Sequence, residues 1–106
     1  MAKSVTSKSS INGWANFLTL ARAAGYTGSQ VVKDGTIVSL GATAAYIHIT
    51  EVGNANPGTA ANGVPIGSTA STAPSTVFRV PEGTDLACLY INTAGAQDIT
   101  YSFTGK

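Results

Sequence analysis

The spacing of apolar residues along the chain changes character once, near Gly25. Before it, Ile11, Trp14, Phe17, Leu18 and Ala21 recur at helical spacing, with Asn12, Asn16 and Thr19 on the opposite side. This predicts a short helix over about residues 11–24, with Ser10 as N-cap, Arg22 in the last turn and Gly25 as a left-handed stop. Leu20 falls off the apolar face. Residues 1–10 are polar and rich in Ser and Thr, so they are expected to form a flexible arm ahead of a single domain spanning 11–106.

After Gly25 the period shortens to that of strands. Residues 30–33 make a short apolar run, Asp34-Gly35 reads as a hairpin turn into 36–40, and 44–52 alternates apolar with polar. Residues 53–76 form a long loop almost free of charge, with turn chemistry at Asn56-Pro57-Gly58 and Asn62-Gly63. Within it only 64–66 is expected to pair with a sheet edge. A strand at 76–80 leads through a turn at 81–84 into the apolar run 86–92, expected to be central and buried on both faces. A further turn at 93–96 precedes 98–104, where Ile99, Tyr101 and Phe103 share one side. About six or seven short strands at hairpin spacing predict a mainly β fold, an antiparallel β-sandwich or jelly-roll-like barrel with one short N-terminal helix.

Composition narrows what such a domain does. Charged residues make up 10% of the 106 positions, against about 25% in an average domain, and the net charge is +1. A field that weak steers the chain to neither nucleic acid nor an anionic membrane, and neither is expected as a partner. Near-neutral surfaces favour association over solubility as a free monomer. No apolar run approaches the ~20 residues of a spanning helix. The stretch after Lys3 and Lys8 is interrupted by Asn12, Gly13 and Asn16, so a cleaved leader is not expected either.

Residues able to do chemistry are sparse. The single cysteine, Cys88, lies in an apolar run and reads as a small core residue. The single histidine, His48, shares its side with Tyr46 and Thr50 and has no second histidine or cysteine to complete a zinc site. The carboxylates Asp34, Glu51, Glu82, Asp85 and Asp98 are scattered, and the glycines form turns rather than a phosphate loop. A non-enzymatic protein without cofactor or metal is the expectation. Tyr46 and Tyr90, or Trp14, offer an alternative to core packing as an exposed platform for a sugar or an interface.

Three segments carry a resemblance: Gly41-Ala42-Thr43-Ala44-Ala45-Tyr46-Ile47-His48-Ile49-Thr50, Gly63-Val64-Pro65-Ile66-Gly67, and Phe78-Arg79-Val80-Pro81-Glu82-Gly83-Thr84-Asp85-Leu86. With Leu89-Tyr90-Ile91-Asn92-Thr93 and Ile99-Thr100-Tyr101-Ser102-Phe103, the texture of residues 41–106 resembles that of small bacteriophage capsid decoration (cement) proteins. The resemblance implies a homotrimer on the virion surface that binds the major capsid protein of a phage head and holds capsomers together. Residues expected to meet the partner are Lys3 and Lys8 of the arm, Trp14, and Asn56, Asn62, Val64 and Ile66 of the loop. A receptor- or glycan-binding module of a phage tail or head fibre, or a secreted adhesin-like subunit, is the alternative.

Overall fold

The computed structural model describes residues 3–39, 44–50, 63–66 and 77–106. Its elements are β1 (Ser4–Asn16), α1 (Phe17–Ala23), β2 (Val32–Ser39), β3 (Ala45–Ile49), β4 (Val64–Pro65), β5 (Val77–Val80), a single 3₁₀ turn (Leu86–Cys88) and β6 (Leu89–Gly105). The mainly β, antiparallel fold with one short helix is the one expected. Its six strands join in one sheet that curls into a half-barrel.

The 17-residue β6 organises this sheet. Along one edge it pairs with β1, from Ser4 opposite Thr104 to Asn16 opposite Tyr90. Along the other edge it pairs first with β3, through Leu89–Thr93, and then with β2, through Ile99–Gly105. The two flanks are extended by β4 beyond β3 and by β5 beyond β2. Between the two halves the β1–β6 register shifts at Ile11 and Gly13. The Thr93 hydroxyl braces this irregularity, donating to the Ile11 carbonyl (2.9 Å) and accepting from Gly13 N–H (3.2 Å).

Several local expectations give way to this long-range pairing. Residues 4–16, read as an arm and the start of a helix, form β1; Ile11 is buried, Ala15 half-buried, and Trp14 on the opposite side is exposed. Helical spacing and strand alternation both fit so few apolar positions, and the ladder to β6 decides between them. The helix starts after Asn16 rather than Ser10: the Asn16 side chain accepts from Leu18 N–H (3.0 Å) and Thr19 N–H (3.2 Å). Asp34-Gly35 is not a turn but lies inside β2, because Gly35 is where the Phe103 ring crosses the strand. A Cβ there would stand 2.6 Å from Phe103 Cδ1. Residues 93–96 bend without reversing the chain, and 86–88 form a 3₁₀ turn capped by the Asp85 carboxylate, which accepts from Ala87 N–H (2.9 Å). The run 86–92 is buried on one side only, since Tyr90 and Asn92 are half-buried. Of the loop at 53–76, residues 64–65 pair with the edge of β3 as expected, and the rest lies outside the described residues except 63 and 66.

The core fills the concave side. Phe17 of α1 packs edge-on against Tyr101 (5.7 Å between centroids) and Phe103 (5.6 Å), closing the half-barrel over the second half of β6. Such aromatic pairs contribute about 0.5–1.5 kcal/mol beyond their area burial. Tyr101 Oη donates to the Leu20 carbonyl (3.1 Å), tying the helix to the sheet. From the last turn of α1, Arg22 donates to the carbonyls of Tyr26 (3.1 Å) and Gly28 (2.8 Å), with its guanidinium over the Tyr26 ring. Tyr26 Oη donates to the Ser29 carbonyl.

Candidate functional site

Residues directly opposite one another in antiparallel strands project to the same side of the sheet. On the convex side this assembles two cross-strand rows over β1, β6 and β3. Trp14 stands opposite Asn92, which stands opposite Tyr46; next to them Asn16 stands opposite Tyr90, which stands opposite His48. Trp14 reaches diagonally across β6, and its ring meets that of His48 edge-on at 4.9 Å between centroids and 65° between planes. Trp14 remains 42% exposed, while Tyr46, Tyr90 and Asn92 are half-buried.

Two of the rings, Trp14 and His48, are supported by their neighbours. Asn16 Nδ2 donates to the Ala87 carbonyl (2.9 Å), so β1 is pinned where it carries Trp14. His48 leans on Gly63 beside β4: a Cβ at Gly63 would lie 2.5 Å from His48 Nε2, so only glycine leaves room for the imidazole. None of the six residues in the two rows carries a carboxylate, ammonium or guanidinium group. The result is an aromatic face with the Asn92 amide set among the rings, the Asn16 amide being taken up by Ala87 and the start of α1. Such a surface binds by burying ring area and through the Asn92 amide, with no carboxylate, ammonium or guanidinium group to desolvate.

Of the residues singled out from sequence, Trp14 belongs to this face, on its β1 side. Lys8 lies on the same convex side, further along β1, with its ammonium 3.8 Å from the Asp98 carboxylate. Lys3 is exposed and its carbonyl accepts from Gly105 N–H (2.8 Å), which fastens it to β6 rather than to a mobile arm. Val64 is 52% exposed, but it stands opposite Ile47 and so points to the other side of the sheet, at the rim. Ile66 is a correction: it is 1% exposed, its N–H donates to the Ala45 carbonyl (3.0 Å), and it belongs to the core. Asn56 and Asn62 lie outside the described residues.

Tyr46, Tyr90, His48 and Asn92 were absent from that set of partner-meeting residues. Alternation alone puts Tyr46 and His48 on one side of β3. What it does not give is the strand order that inserts Tyr90 and Asn92 between them and Trp14. Among the described residues no three of His, Cys, Asp and Glu gather into a metal-binding group. Three of the four described acidic side chains take up structural work: Asp98 pairs with Lys8, Glu82 with Lys106 (3.6 Å), and Asp85 accepts from Gln30 Nε2 (2.9 Å). No family model matches this chain, and neither does any curated protein or solved structure.

Proposed function

We propose that this chain is a non-enzymatic virion protein, a capsid decoration protein that docks on the major capsid protein of a phage head through the convex face that carries Trp14. The observation that carries this reading is the pair of aromatic rows, free of carboxylate, ammonium and guanidinium groups, on Trp14, Asn92, Tyr46 and Asn16, Tyr90, His48. Interfaces are anchored by Trp and Tyr, and their centres are depleted of charge. Phage identity rests on the resemblance of residues 41–106. Repeated docking on a lattice turns modest single contacts into firm attachment, because each later contact is intramolecular.

The test is co-sedimentation of the purified protein with capsids that lack it. The native chain binds and raises the capsid melting temperature. Trp14→Ala stays folded and loses roughly 30-fold or more in affinity, the loss expected of an interface anchor. Native-like binding by the variant, or no binding by the native chain, sinks the proposal. A second reading is favoured by the Asn92 amide set between Trp14 and Tyr46, which suits a neutral sugar stacked on the rings. A glycan array separates the two, since a decoration protein leaves it blank.

A further inference from the structure

The half-barrel ends on one side at β1, and among the described residues β6 is the only strand that pairs with it. From Ser4 to Ile11 the β1–β6 register runs without a shift. Gly105 N–H donates to the Lys3 carbonyl (2.8 Å), and residue 3 stands opposite residue 105 in the same register. Hydrogen-bonded and non-hydrogen-bonded positions alternate along an antiparallel pair. The odd-numbered residues through Ile11 therefore turn their backbone groups toward β6. Ser4, Thr6, Lys8 and Ser10 turn theirs to the open edge. An edge this long and regular is a template for another strand.

We propose that this edge is filled by β1 of a second copy of the chain, paired antiparallel about a two-fold axis at Ser7. Only pairings of even residue with even residue satisfy the exposed groups and keep the two convex faces continuous. Centring on Lys8 sets two ammonium groups directly opposite, which is destabilising. Centring on Thr6 leaves Ser10 outside the ladder. Centring on Ser7 engages all of the open positions: Ser4 meets Ser10 of the second copy and Thr6 meets its Lys8, in both directions. Lys8 is the only charged side chain in β1, it is already paired with Asp98, and the net charge of +1 opposes association little. Trp14 lies past the register shift and outside the paired segment, so the pair presents two aromatic faces on the same side. This inference does not depend on what those faces bind.

Sedimentation equilibrium over a wide concentration range tests the pairing on the intact chain. A reversible monomer–dimer equilibrium is expected. Thr6→Pro removes an N–H that points away from β6, so the β1–β6 ladder survives while the dimer dissociation constant rises roughly ten-fold. Charge substitutions check the register without proline: Thr6→Glu, opposite Lys8 of the second copy, tightens the dimer, and Thr6→Lys loosens it. Ser7→Cys gives a covalent dimer on mild oxidation, because a non-hydrogen-bonded pair sets Cα atoms about 4.5 Å apart, within disulfide range. Ser10→Cys does not, since its own counterpart is several residues away. A chain that is monomeric throughout, a ring of three or more such as the resemblance implies, or cross-linking at Ser10 in preference to Ser7 overturns the proposal.

Discussion

Between Leu89 and Thr93, β6 buries aliphatic side chains and turns Tyr90 to the convex side beside Trp14 and Tyr46. Between Ile99 and Gly105 it does the reverse, burying Tyr101 and Phe103 under α1 and turning Thr100, Ser102 and Thr104 outward. One strand thus carries its rings outside in the first half and inside in the second. The second half spends aromatic area on stability, and the hydroxyls left outside bond one another, as Thr6 Oγ1 and Ser102 Oγ do at 3.0 Å. The first half is held by Leu89, Ile91 and Ile47, which frees its rings to meet something else.

The sharpest way to break this division is to take a ring from the inner cluster. Phe103→Ala leaves Phe17 and Tyr101 facing a void, and chemical denaturation is expected to show a loss of about 3–5 kcal/mol. Trp14→Ala, on the outer face, costs stability far less, and equal losses would show that the two halves are not divided in this way.

Gln97 marks the boundary between the halves. It follows the bend, is 7% exposed, and neither its Nε2 nor its Oε1 has a hydrogen-bond partner among the described residues. Each orphaned polar atom costs about 1–3 kcal/mol, part of which an apolar replacement recovers. Gln97→Met keeps the length of the side chain and fills the same space, so a gain of about 1 kcal/mol in unfolding free energy is expected. A loss instead would show that the amide serves the bend.

The smallest expected effect is confined to alkaline solution. Burial pushes the Tyr26 hydroxyl above its usual value of 10.0, against the opposing pull of Arg22. A raised pKa in the folded state means that the contribution is complete below the unfolded value and is lost as pH climbs through the folded one. Urea midpoints from pH 8 to 11 are expected to fall more steeply for the native chain than for Tyr26→Phe. Parallel curves would remove Tyr26 from the account.

What could be read from the chain alone follows the same division. The strand at the C-terminal end was legible because Ile99, Tyr101 and Phe103 alternate with polar residues over its whole length. The turn at 81–84 was legible as well, and Thr84 Oγ1 donates to the Pro81 carbonyl there (2.7 Å). At residues 11–16 local pattern failed, since Ile11, Trp14 and Phe17 satisfy helical spacing and a strand equally. The deciding partner lies some eighty residues away, as Trp14 opposite Asn92 illustrates. Asp34-Gly35 and 93–96 carry turn residues for a different reason: one accommodates a crossing ring and the other a bend. The aromatic face is a property of strand order, and no single segment contains it.

The pairing of β1 with β6 also governs when the molecule can fold. Among the described residues, every strand partner of β1 lies in β6, far along the chain. During translation Ser4–Asn16 therefore leaves the ribosome without its strand partner and stays so until Leu89–Gly105 emerges. Loop closure over such a separation is slow, and an unpaired strand is open to the wrong neighbour in the meantime. A chain stalled or truncated before β6 has no partner to offer β1, so the half-barrel closes only once Leu89–Gly105 is available.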